Sequence, residues 1–76
     1  MAEKHTIFID DHRHQVDQDA LSGAQLKALD AIPAGNSLFL EVPGPAPDRK
    51  IDDAETVELR SGMKFYDLPP IVRGAS

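Results

Sequence analysis

Three groups of residues have types and spacings that chemistry could use. The first is the stretch Pro69-Pro70-Ile71-Val72-Arg73-Gly74-Ala75-Ser76. It holds an apolar pair, then Arg-Gly, then two small residues. It is too short to form another element, and a narrow enzyme channel can thread small residues at its end. The second is Asp10-Asp11-His12-Arg13-His14. In a strand, His-x-His places both imidazoles on one face, as a metal site needs. Here the pair straddles a predicted turn and has no firm third ligand, so a solvated hairpin is the expectation and no metal is assigned. The third is Asp48, Asp52, Asp53 and Glu55. Their spacing is not that of a calcium loop, and nothing implies a burial that would raise a carboxylate pKa. They read as a solvated acidic edge that steers basic partners. No catalytic constellation emerges, and the chain is read as a non-enzyme.

The totals narrow the classes further. Seventy-six residues make one domain at most, and a chain of this size buries only roughly 60 % of its unfolded surface. With no cysteine there is no disulfide, no thiol nucleophile and no thiolate ligand. In any thioester relay this chain can only be cargo. Eight basic residues against thirteen acidic ones leave a net charge of −5, which argues against nucleic acid as a partner. No apolar run exceeds four residues, so no membrane span is expected. The first residues lack the apolar core of a secretory signal, and the cytoplasm is the expected location.

These residues must be positioned by a small set of elements. Thr6-Ile-Phe-Ile-Asp10 alternates and reads as a strand, with His14 to Asp17 as a short return strand. Ser22-Gly-Ala-Gln25 has the form of a capping box. The helix it starts carries Leu26, Ala28, Leu29 and Ile32 on one face, with Lys27 and Asp30 on the other, and Pro33-Ala-Gly35-Asn36 ends it. Ser37 to Val42 is a strand with Leu38, Leu40 and Val42 on one side and Phe39 and Glu41 on the other. Pro43 to Asp48 must be a loop. Ile51 dips into the core, and Asp52 to Glu55 is an acidic connector with room for one helical turn. Thr56 to Leu59 is a short strand, Arg60-Ser-Gly62 a turn, and Met63 to Leu68 the last strand.

One amphipathic helix within such a strand order predicts an α+β fold, a mixed four- to five-stranded sheet wrapped on one helix in the β-grasp manner. The domain is expected over 6–68, with flexible ends at 1–5 and 69–76. If Leu38, Leu40 and Val42 face the helix, Phe39 faces out. If Phe65 faces the helix, Tyr66 and Leu68 face out. With the third and last strands adjacent, Phe39, Tyr66 and Leu68 form one exposed patch for a protein partner. A register shift of one residue would bury Phe39 instead. Phe8 is a further outward aromatic on the first strand.

At this level of layout the chain resembles ubiquitin-like proteins over about Lys4 to Gly74. The resemblance rests on Ile7-Phe8-Ile9 in the first strand and Ile71-Val72-Arg73-Gly74 in the tail. It is more similar to the prokaryotic multi-ubiquitin domain family, through Gly62-Met-Lys-Phe65 and Pro69-Pro70 after a leucine-bearing helix and a Pro/Gly loop. The resemblance implies a bacterial ubiquitin-like modifier that works with an E1-like activating enzyme, an E2-like enzyme, a JAB-type peptidase and protein targets, in an antiviral-defence setting. The chain itself would hold no cofactor; ATP and magnesium belong to the activating enzyme. Gly74 would be the acyl donor, and Arg73 a charged grip for the activating enzyme or peptidase. The tail departs from ubiquitin in ending Gly74-Ala75-Ser76. Either a peptidase removes Ala75-Ser76 and exposes Gly74, or the chain conjugates through Ser76, or it does not conjugate. A non-conjugating β-grasp binding module and a sulfur carrier are the alternative functions. Lys4, Lys27, Lys50 and Lys64 are candidate acceptors for chain formation. A monomer is expected, with self-association left open.

Overall fold

The computed structural model describes residues 4–70 of the 76. Arg73, Gly74, Ala75 and Ser76, and with them the expected conjugation tail, lie outside the described residues.

The chain begins with β1 (His5–Ile9) and β2 (His12–Val16), an antiparallel hairpin in which Ile9 is opposite His12. Only Asp10 and Asp11 form the loop, and both have positive φ, 52° and 65°. A two-residue loop with both residues left-handed matches the right-handed twist of its strands, and Asp is among the few side chains that tolerate that region. The return strand therefore starts at His12, two residues earlier than the sequence reading placed it. His5, assigned to a flexible end, opens β1 instead, and its ring bonds Asp19 at 3.0 Å.

β3 (Ala20–Ser22) leads into α1 (Gly23–Leu29). The capping box forms in both directions. The Ser22 hydroxyl accepts from the Gln25 amide at 3.2 Å, and Gln25 Oε1 accepts from the Ser22 amide at 2.9 Å. The helix is shorter than its apolar spacing implied. Asp30 caps it, and Ala31 at φ 53° turns the chain away before Ile32. Its buried side is Gly23, Leu26 and Lys27, while Leu29 is 38 % exposed. The sequence reading had Lys27 and Leu29 the other way round. Lys27 is only 8 % exposed because its ammonium is held at 2.7 Å by Asp53 and at 3.3 Å by the Ala34 carbonyl, and its methylene stem fills the interior.

The remaining strands are β4 (Ser37–Leu40), β5 (Arg49–Ile51), β6 (Thr56–Glu58) and β7 (Lys64–Leu68). Five strands form one sheet in the order β2-β1-β7-β4-β5, with β1 and β7 parallel and the other neighbours antiparallel. β3 and β6 pair separately, with Leu21 opposite Val57, and both side chains are buried. Ile7, Ile9, Leu38, Ile51 and Phe65 on the inner sheet face pack with Leu26 in one core. Residues 52–55 form a turn rather than a helical one, and it crosses the start of α1 through Gly23 N–H to the Glu55 carbonyl and Ala24 N–H to the Asp53 carbonyl. A mixed five-stranded sheet carrying one short helix is the β-grasp arrangement, with β7 at the centre of the sheet.

Candidate functional site

The outer sheet face is built by alternation. Leu38, Leu40 and Phe65 point to the core, so Phe39 and Tyr66 must point away from it. β4 and β7 are antiparallel neighbours, and their register puts Phe39 directly opposite Tyr66. The two rings stack with centroids 5.3 Å apart and planes 12° from parallel. Leu68 lies two residues further along the same face of β7 and is 48 % exposed. The structure therefore brings Phe39 and Tyr66 into contact and sets Leu68 beside them, but of the three only Leu68 is exposed, because each ring covers part of the other. Phe8 is on the same face, one strand over, and half-buried.

The loop that β4 enters holds the ring pair in place. Asp48 accepts from the Tyr66 hydroxyl at 2.6 Å and from the Val42 amide at 3.0 Å. One carboxylate thus fixes both the tyrosine and the end of β4. The hydrogen bond from Tyr66, followed by that from Val42, holds the Asp48 carboxyl below its usual range. The same bond raises the Tyr66 phenol above its ordinary value near 10, because the protonated hydroxyl is the form that donates. Tyr66 is the only tyrosine, so its ionisation can be followed by ultraviolet absorbance. In the wild type the phenol is expected to titrate above 10, and in Asp48→Ala to fall back toward the ordinary value. An unchanged titration in that variant would remove Asp48 from this role.

The histidines are arranged differently from the sequence reading. His12 and His14 do not straddle the turn; both lie on β2, and both reach the helix cap. His12 Nδ1 is 2.9 Å and His14 Nε2 2.9 Å from Asp30 Oδ1. Asp30, with a side chain 11 % exposed, ties β2 to the end of α1. Burial acts to raise its carboxyl, but the hydrogen bonds from His14 and His12 outweigh burial and hold it low. Its contribution to stability is therefore present above the ordinary carboxylate range and is lost as pH falls below it. Sequence periodicity had no means of showing this partner, sixteen residues beyond His14. Among the described residues no group of three His, Asp or Glu is arranged to hold a metal.

Of the lysines, Lys27 is withdrawn into its ion pair with Asp53, whereas Lys4, Lys50 and Lys64 are exposed. An open groove of about 710 Å³ runs between Leu40–Pro43 and Arg60–Lys64. It sits at the start of β7, away from Leu68 and Pro69 where the strand ends. Among the described residues no helix is long and apolar enough to cross a membrane.

Comparison with known proteins gives one match. The family described as Multiubiquitin matches residues 5–66, from the first residue of β1 to Tyr66. No curated protein and no solved structure matches the chain. The matched span takes in the hairpin, the capped helix, β4 and the part of β7 that carries Tyr66, which is most of the chain, and on that ground this chain belongs to the multiubiquitin family, its described part a ubiquitin-like domain.

Proposed function

We propose that this domain is a ubiquitin-like modifier and not itself an enzyme. An E1-like enzyme adenylates its C-terminal carboxylate with ATP and magnesium, releasing pyrophosphate. The acyl group passes to a thiol with release of AMP, then through an E2-like enzyme to a target amine. A JAB-type peptidase removes Ala75-Ser76, so that Gly74 carries the carboxylate. Gly at that position lets a bare backbone enter a narrow channel, and Arg73 supplies the charged grip. The cytoplasm is the proposed setting.

The observation that supports this reading is the place of β7. It is the central strand, it carries Tyr66 and Leu68 outward, and Pro69-Pro70 end its ladder. Pro69 and Pro70 thus follow directly on the central strand, next to the exposed Leu68. An enzyme docked on Phe39, Tyr66 and Leu68 would have the tail within reach. Lys4, Lys50 and Lys64 are the acceptors of choice for any chain formation, and Lys27 is not.

The ring pair by itself also supports a second reading, a binding module that docks partners and never conjugates. One experiment separates the two. The 76-residue chain and a version ending at Gly74 are each mixed with a cognate E1-like enzyme, ATP and magnesium, and followed by intact mass. The modifier reading expects an adenylate or a covalent adduct, with Gly74→Glu abolishing it. Absence of both species from both versions leaves the binding module.

A further inference from the structure

The charges of the outer sheet face differ from those of the chain. In the register of the five-stranded sheet, Phe8 is opposite Arg13 on β2 and Lys64 on β7, and Phe39 is opposite Lys50 on β5. Paired residues share a face, so Arg13, Lys64 and Lys50 stand on the same side as Phe8, Phe39 and Tyr66. The other outward strand positions are Thr6, Gln15, Ser37 and Leu68. Every charged strand residue on this face is therefore basic, in a chain with a net charge of −5. Asp11 and Asp17 flank β2 at its two ends, and two further carboxylates stand by the ring pair. Asp48 is engaged by Tyr66 and Val42, and Glu41 follows the end of β4.

We propose that this face binds an acidic polypeptide segment, with an apolar anchor on the Phe39–Tyr66 stack and flanking carboxylates on Lys50, Lys64 and Arg13. The aromatic pair supplies area already ordered by stacking and by the Asp48 bond, so little freedom is lost on binding. The cations supply the sign of the partner. An acidic chain repels acidic segments at long range, and the local cations reverse that where the rings are. A basic partner, drawn by the overall charge, would meet Lys50 and Lys64 at this site, so it is directed elsewhere on the surface. The inference deepens the docking patch of the proposed function, but it holds whether or not the tail conjugates.

The test uses the full chain as bait for a random peptide display library. Selected peptides are expected to carry Asp or Glu flanking aliphatic or aromatic residues, and to shift the amide resonances of Phe39, Lys50, Lys64 and Tyr66. Lys50→Glu combined with Lys64→Glu changes only exposed side chains and leaves the core untouched. It is expected to weaken those peptides roughly tenfold and to favour their Lys-substituted counterparts. Raising salt well above 0.1 M, where the screening length is about 10 Å, should shrink the difference. Failure to select any peptide, selection without an excess of carboxylates, or equal binding to the charge-reversed variant overturns the proposal. None of these results bears on adenylation of the tail, so the two readings fail separately.

Discussion

Gly23→Ala is expected to destabilise this domain by about 2–3 kcal/mol, against the usual rule for helices. Replacing Gly by Ala in an exposed helix normally gains up to about 1 kcal/mol. Here Gly23 is the first residue of α1, and the turn at 52–55 passes directly over it. A Cβ at Gly23 would come within 2.3 Å of the Asp52 carbonyl oxygen and 2.9 Å of its carbon. These are backbone atoms, and they have no rotamer by which to retreat. The turn cannot lift away freely either. The Gly23 amide donates to Glu55 O at 2.9 Å, the Ala24 amide donates to Asp53 O at 3.1 Å, and Asp53 also holds Lys27. Relief of the clash must break at least part of this seam. Gly35→Ala is the control, because nothing lies within 4 Å of a Cβ there. Urea denaturation of both variants decides the matter. Equal or higher stability for Gly23→Ala would mean that the close approach does not constrain the fold.

Phe65→Ala should have the largest effect of any single truncation, a loss of about 3–5 kcal/mol. Phe65 is 2 % exposed, and its register places it between Ile9 on β1 and Leu40 on β4. Its backbone accepts from the Asp10 amide at 2.9 Å, so the hairpin loop is anchored at the same residue. A core in a chain this small rarely supplies more than about 3–5 kcal/mol of net stability. The variant is therefore expected to be largely unfolded at room temperature, seen as collapse of amide dispersion in NMR. Phe39→Ala provides the contrast. It lies outside the buried core and loses chiefly a ring stack worth about 0.5–1.5 kcal/mol, so the fold should persist. A well-folded Phe65→Ala with a loss below about 1 kcal/mol would show that the core is not centred on β7.

This contrast also shows how much of the fold and the candidate site was legible in the residues. Phe39 and Phe65 have the same side chain, and alternation alone assigned them opposite faces, since Leu38 and Leu40 flank one and Tyr66 follows the other. The Ser22–Gln25 capping box was equally visible, because its partners are three residues apart. β3 and β5 were not. Each is three residues long, and Arg49-Lys50-Ile51 has no periodicity to detect; it is a strand because β4 offers it a ladder. The inward turn of Lys27 was illegible for a related reason. Helical spacing treats a lysine as polar, whereas Asp53 and the Ala34 carbonyl, brought in by other segments, make its burial affordable.

The candidate site divides along the same line. Local sequence determined which side chains face away from the helix, where the helix starts, and that no cysteine can carry an acyl group. Those properties depend on a residue and its near neighbours, through strand alternation, capping and side-chain chemistry. Only the tertiary structure decided that Phe39 meets Tyr66 ring to ring, that Arg13, Lys50 and Lys64 share their face, and that His12 and His14 close on Asp30. Each of these depends on strand register or on where a helix ends against a sheet. Register is set by the whole core at once, because a slip of one residue would turn every inward side chain out.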